Sequence, residues 1–107
     1  MIEIRTTTVK AGTDLRVDLE HAPILVTMRN LVNGNKIEWV HGMPTASCFL
    51  MNASTGDTQK EITLGVCVQN SSVILGRLEG FNSAAQHGHT IVVTAVSEKK
   101  NTFFSED

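Results

Sequence analysis

A chain of 107 residues, 41% hydrophobic and 19% charged, has the length of one domain and enough apolar content to bury a core without disulfide staples. A formal net charge of −2 disfavours recruitment to nucleic acid or acidic membranes by electrostatics alone. Cys48 and Cys67 sit in apolar, β-rich stretches without Cys-x-x-Cys spacing, so they read as buried free thiols rather than a disulfide or metal pair.

Met1–Arg5 lacks the basic region and apolar run of a secretory signal, and no stretch approaches the length of a membrane span. The expectation is a soluble chain made in the cytoplasm, reaching a virion only as part of an assembled particle.

Ile2–Val9 carries a β-branched run that suits a strand. After a break at Lys10–Thr13, Leu15, Val17 and Leu19 alternate with Asp14, Arg16, Asp18 and Glu20, the pattern of a half-buried strand. His21-Ala22-Pro23 predicts a turn. Ile24–His41 then reads as one hairpin closed by Asn33-Gly34 in a two-residue type I′ loop. That loop pairs Arg29 with Glu38, Met28 with Trp39 and Thr27 with Val40. Met28 and Trp39 face the core, and Leu25, Leu31 and Val40 surround the Arg29–Glu38 pair on the other face. Gly42-Met43-Pro44 breaks the chain again, and Thr45–Ala53 is the next strand, followed by loop residues Ser54–Asp57.

Ile62, Leu64, Val66 and Val68 alternate with Thr63, Gly65 and Cys67, and Val73-Ile74-Leu75 begins a return strand reaching Phe81. Both are apolar on two faces near their turn, which calls for a covering layer or a second subunit. Asn82–Gly88 is a small-residue loop and Thr90–Val96 a closing strand. The predicted fold is all-β: a small antiparallel sandwich, jelly-roll or immunoglobulin-like, or a barrel of about seven or eight strands. It is one domain over 1–107, with 97–107 a tail or arm that is polar apart from Phe103-Phe104.

His87-Gly88-His89 puts two imidazoles on one side of an extended chain, half of a common metal site. In the cupin family a Glu follows three or four residues later, where this chain has Val92, Val93 and Thr94. His21 and His41 could complete a ligand set only in space. Ser71, Ser72 and Ser83 lie in turns with no nucleophile elbow, and Asp14, Asp18 and Glu20 read as a solvated strand face. No metal, cofactor or catalytic set is expected.

Gly76-Arg77-Leu78-Glu79-Gly80-Phe81-Asn82 resembles the first motif of the Sm-like RNA-binding fold, Gly-x-Leu-x-Gly-Phe-Asp with an Asn four residues on. Here Asn82 replaces the Asp and Gln86 the Asn. The resemblance implies a small nucleic-acid-binding barrel with Asn82 and Gln86 facing RNA bases. A metal-dependent β-barrel enzyme using His87 and His89 is a third possibility.

The leading expectation is a non-enzymatic structural protein acting through self-association or a particle lattice, such as a bacteriophage capsid decoration protein. This rests on apolar groups that fall on faces turned away from the core. The expected contact residues are Leu25, Arg29, Leu31, Glu38, Val40, Phe103 and Phe104, with neither a membrane nor a nucleic acid as partner.

Overall fold

Strict alternation and β-branched runs make strands wherever they occur in this chain. The computed structural model describes residues 1–98. Its strands are β1 (Ile2–Thr8), β2 (Leu15–Asp18), β3 (Pro23–Asn30), β4 (Lys36–Val40), β5 (Ser47–Met51), β6 (Thr58–Gln69), β7 (Ser72–Leu75) and β8 (Thr90–Ser97), with a short 3-10 turn at Ala84–Gln86. They form one eight-stranded antiparallel sheet in the order β1-β8-β3-β4-β5-β6-β7-β2, curled into a nearly closed barrel. The all-β expectation holds.

The first two strands lie at opposite edges of that sheet, so the Val9–Asp14 link forces the edges together. Glu3 fastens them. Its carboxylate accepts from the N–H of Glu20 at 2.7 Å and of His21 at 3.0 Å, just past β2, while the Arg5 guanidinium donates to it at 3.0 Å. The Glu20 N–H holds this carboxyl below its ordinary range against the opposing push of burial, and His21 and Arg5 add to that.

Alternation along β2 behaves as its sequence requires, with Leu15, Val17 and Leu19 buried. They meet Val26, Met28, Ile37, Trp39, Val66, Val73, Leu75, Phe81, Ile91 and Val93 in one core. Cys48 is buried and Cys67 half-buried, both free thiols, and burial pushes the Cys48 thiol up to about 11.

Three expectations are corrected. The β3–β4 hairpin is not closed by a two-residue loop: Asn30 and Asn35 are joined by an Asn30 N–H to Asn35 carbonyl bond of 2.8 Å, leaving Leu31–Gly34 as the loop. Type I′ geometry needs positive φ at both central residues, and of Asn33 and Gly34 only Gly34 (φ 80°) has it. The side-chain oxygen of Asn30 instead gathers the N–H groups of Val32 at 2.9 Å and Asn33 at 3.2 Å. The register shifts by two, so Arg29 faces Lys36, Thr27 faces Glu38, Met28 faces Ile37 and Val26 faces Trp39. A shift of two keeps each side chain on its face, so Met28 and Trp39 are still buried.

The return strand β7 stops at Leu75 rather than reaching Phe81, because the Asn82 side chain ties the chain into a turn. It accepts from the Leu78 N–H at 2.8 Å and donates to the Gly76 carbonyl at 2.9 Å. The third correction is in β6, which bends midway. Cys48 faces Glu61 while the adjacent Ser47 faces Val66, so Ile62–Gly65 bulge out of the ladder. The Glu61 carboxylate holds the bulge, accepting from the N–H groups of Thr63 and Leu64 and the Thr63 hydroxyl. Ile62 and Leu64 are thereby exposed rather than turned to the core.

Candidate contact surface

Cross-strand pairing in β1, β8, β3 and β4 fixes which side chains share the outer face of the sheet. Ile2 faces Val96, Val96 faces Leu25 and Leu25 faces Val40, so four apolar side chains form one continuous row across four strands. Ile2 is 65% exposed and Val40 45%. The next row runs Ile4, Thr94, Thr27, Glu38 and Phe49, with Ile4 and Phe49 also exposed. The third runs Thr6, Val92, Arg29, Lys36 and Met51.

This face is graded, apolar at one end of the strands and cationic at the other. Arg29 and Lys36 are directly opposed like charges, an arrangement that costs stability in an isolated sheet. Among the described residues neither makes an ion pair. Leu31 leaves the sheet but folds back over it, lining a shallow groove with Arg29, Lys36 and Val92. Leu25, Arg29, Leu31, Glu38 and Val40 are therefore on one face, although the Arg29–Glu38 pair is diagonal rather than direct. Ile2, Ile4 and Val96 also belong to this face; strand order was the missing information, since nothing local in the sequence places β8 between β1 and β3. Phe103 and Phe104 lie outside the described residues.

The two ends of the barrel differ. One is closed by the side chains of Asn30, Asn33 and Asn35. Asn33 and Asn35 both donate to the Gly80 carbonyl at 2.9 Å, Asn35 accepts from the Ala53 N–H, and Asn30 donates to the Phe81 carbonyl. These bonds tie three loops together and satisfy buried polar groups, as a closed end requires. The opposite end, where β8 finishes, is open.

His87 and His89 lie at the closed end, whereas Glu20, His21 and His41 line the opposite one. His87 Nδ1 accepts from the Ala11 N–H at 3.0 Å, while His89 Nδ1 sits 3.0 Å from the Asn30 amide nitrogen. Their ring nitrogens thus face different partners. Among the described residues no group of three His, Cys, Asp or Glu is placed to hold a metal ion. Asn82 is buried in its own turn, and the Gln86 side-chain oxygen accepts from the Ser83 N–H and hydroxyl. Of the two Sm-like motif positions, Asn82 has both ends of its amide engaged within the loop, and Gln86 has its amide oxygen engaged there. Asp18 is exposed, its carboxyl held low by the Ser72 hydroxyl and then Arg16.

No helix among the described residues is long and apolar enough to cross a membrane. Comparison with protein-family models, with curated proteins and with solved structures finds no match for this chain.

Proposed function

We propose that this chain is a non-enzymatic assembly protein whose work is protein–protein contact through the outer face of β1, β8, β3 and β4. The observation that carries the reading is the solvent-facing row Ile2–Val96–Leu25–Val40. A row of four apolar side chains spanning four strands is more than an exposed sheet of a monomer needs, and contiguous patches of this kind mark interaction sites. Its neighbours fit the same purpose. Glu38 lies between the apolar row and the Arg29–Lys36 corner, so a second copy docked about a two-fold axis near Thr27 would set Glu38 of each copy toward the cations of the other.

A bacteriophage virion component such as a capsid decoration protein is the form of this function that the chain's size and all-β build suit best. That step is an analogy of architecture, since fold alone does not specify function. Size-exclusion chromatography with light scattering across a concentration series tests the general reading, and co-sedimentation with capsids tests the particular one. A species that stays monomeric at all concentrations and binds no capsid or other lattice overturns both.

A further inference from the structure

The outer sheet face presents its groups in an order that the chain matches further on. Starting where β8 ends, the face offers the row Ile2, Val96, Leu25 and Val40, then the row that holds Ile4 and Phe49, and then the opposed pair Arg29 and Lys36. Lys60 faces Phe49, so the charged side chains of these rows are Arg29, Lys36 and Lys60 against Glu38. The face is apolar first and cationic after.

Residues 99–107 read Lys-Lys-Asn-Thr-Phe-Phe-Ser-Glu-Asp: two cations, two polar residues, two rings, and then two acids beyond Ser105. Laid back over the face from the end of β8, this order sets the rings against the apolar rows and the acids against Arg29 and Lys36. Lys99 and Lys100 stay near the open end, whose lining includes Glu20 and Glu98. A segment docked inside that open end would instead bring its own acids to those two carboxylates.

The reach agrees. An extended chain advances about 3.3 Å per residue, so Phe103 can lie up to about 17 Å from Glu98 and Glu106 up to about 26 Å. Val96 is about 7 Å back along β8 from Glu98, and Val92, which shares its row with Arg29 and Lys36, about 20 Å. The long side chains of Arg29 and Lys36 make up what a reversal of the chain consumes.

From this order and this reach we infer that residues 103–107 dock on the outer sheet face of their own chain, with Phe103 and Phe104 on the apolar rows and Glu106 and Asp107 at the Arg29–Lys36 corner. The consequence rests on the assembly reading: a second copy can use the face only after the segment leaves it, so the segment restrains assembly. The rings supply most of the attraction, because exposed ion pairs are worth little, and the charges set the direction in which the segment lies.

The intact chain labelled with carbon-13 and nitrogen-15, mixed with an equal amount of unlabelled chain, separates contacts within a chain from contacts between chains in filtered NOE spectra. NOEs from the Phe103 and Phe104 ring protons to the Leu25 and Val96 methyl groups are expected within one chain. Arg29→Glu with Lys36→Glu should weaken them severalfold, and adding Glu106→Lys with Asp107→Lys should bring them back. Phe103→Ala with Phe104→Ala should tighten self-association at least about fourfold, because a face covered half of the time is free on both copies in about one encounter in four. The inference is overturned if the rings show no NOE to these methyl groups, if the NOEs run only between chains, or if the rings contact Met43 or Val68 of the open end instead. It is equally overturned if the NOEs keep full strength in the Arg29→Glu, Lys36→Glu chain, or if removing the rings leaves a measurable self-association no tighter. The two readings fail separately. A chain that shows the NOEs but does not self-associate, with or without its rings, overturns the assembly reading alone, and one that self-associates without showing them overturns this inference alone.

Discussion

Val40→Lys separates folding from assembly. Val40 is 45% exposed and sits at the β4 end of the apolar row, so the free domain loses little when it changes; surface substitutions of this kind stay within about 0.5 kcal/mol. In a copy–copy contact the account differs. Full burial of a valine is worth roughly 1.5–3 kcal/mol, so burying its exposed part contributes about 1 kcal/mol. An ammonium brought into the same desolvated place costs about as much again, even if the lysine stem stretches to the rim. A two-fold contact contains the row twice, which makes about 4 kcal/mol in all and weakens association roughly a thousandfold. Ile62→Lys is the control. Ile62 is 66% exposed, more than Val40, but lies on the β6 bulge away from this face. Sedimentation equilibrium gives the association constants, and urea titration of Trp39 fluorescence gives the stabilities. The reasoning fails if Val40→Lys associates within threefold of the parent chain, or if Ile62→Lys weakens association as much.

Gly65→Ala should be among the most destabilising single-methyl additions, because the new Cβ would lie 2.4 Å from the Ser47 carbonyl carbon and 2.6 Å from its Cα, backbone that cannot move aside. A loss of about 3 kcal/mol, read as a fall of more than 10 °C in Tm, is expected, against about 1 kcal/mol for Gly12→Ala, where φ is 85° but the space is open. Asn82→Ala removes partners from both the Leu78 N–H and the Gly76 carbonyl and should cost about 2–4 kcal/mol in urea denaturation. Acid should destabilise the fold by a route that is visible in Glu3, Asp18 and Glu61. All three are held below their ordinary range, so their contribution is full above the unfolded-state carboxylate values and disappears as pH falls through the lower folded-state ones. Thermal melts from pH 6 to pH 2 should show that decline, and Glu3→Gln should flatten it; an unchanged pH profile in that variant would remove Glu3 from the account.

Strands and their buried faces were legible in the sequence because alternation is a local property. Leu15, Val17 and Leu19 could face only one way, and Met28 and Trp39 stayed on the core side even when the hairpin register moved by two. What escaped was decided by side chains competing for backbone. Asn33-Gly34 is a strong hairpin signal, yet Asn30 captures the N–H groups of Val32 and Asn33 earlier in the chain and opens a longer loop. The bulge in β6 was hidden for the same reason. Ile62, Leu64, Val66 and Val68 read as one alternating series, but the Glu61 carboxylate folds the chain on itself before Gly65. A glycine inside an apolar strand, four residues after a glutamate, was the available signal. The contact face was legible in part. Leu25 and Val40 were identified from their own hairpin, whereas Ile2, Ile4 and Val96 needed the strand order.

The unequal ends of the barrel bear on what each region is free to do. Asparagine side chains close one end by satisfying loop carbonyls and N–H groups, and each of those bonds fixes a loop that would otherwise move. His87, His89, Asn82 and Gln86, the residues most suggestive of chemistry in sequence, are all drawn into that scaffold. Asn82 has both polar atoms engaged by its own loop, while His87 and His89 each engage Nδ1 and Gln86 its amide oxygen. The region with interaction capacity to spare is the outer sheet face, with its exposed apolar side chains and opposed cations. The exposed apolar row and the opposed cations of that face lie outside the His87-Gly88-His89 and Gly76–Asn82 stretches that stand out in the sequence.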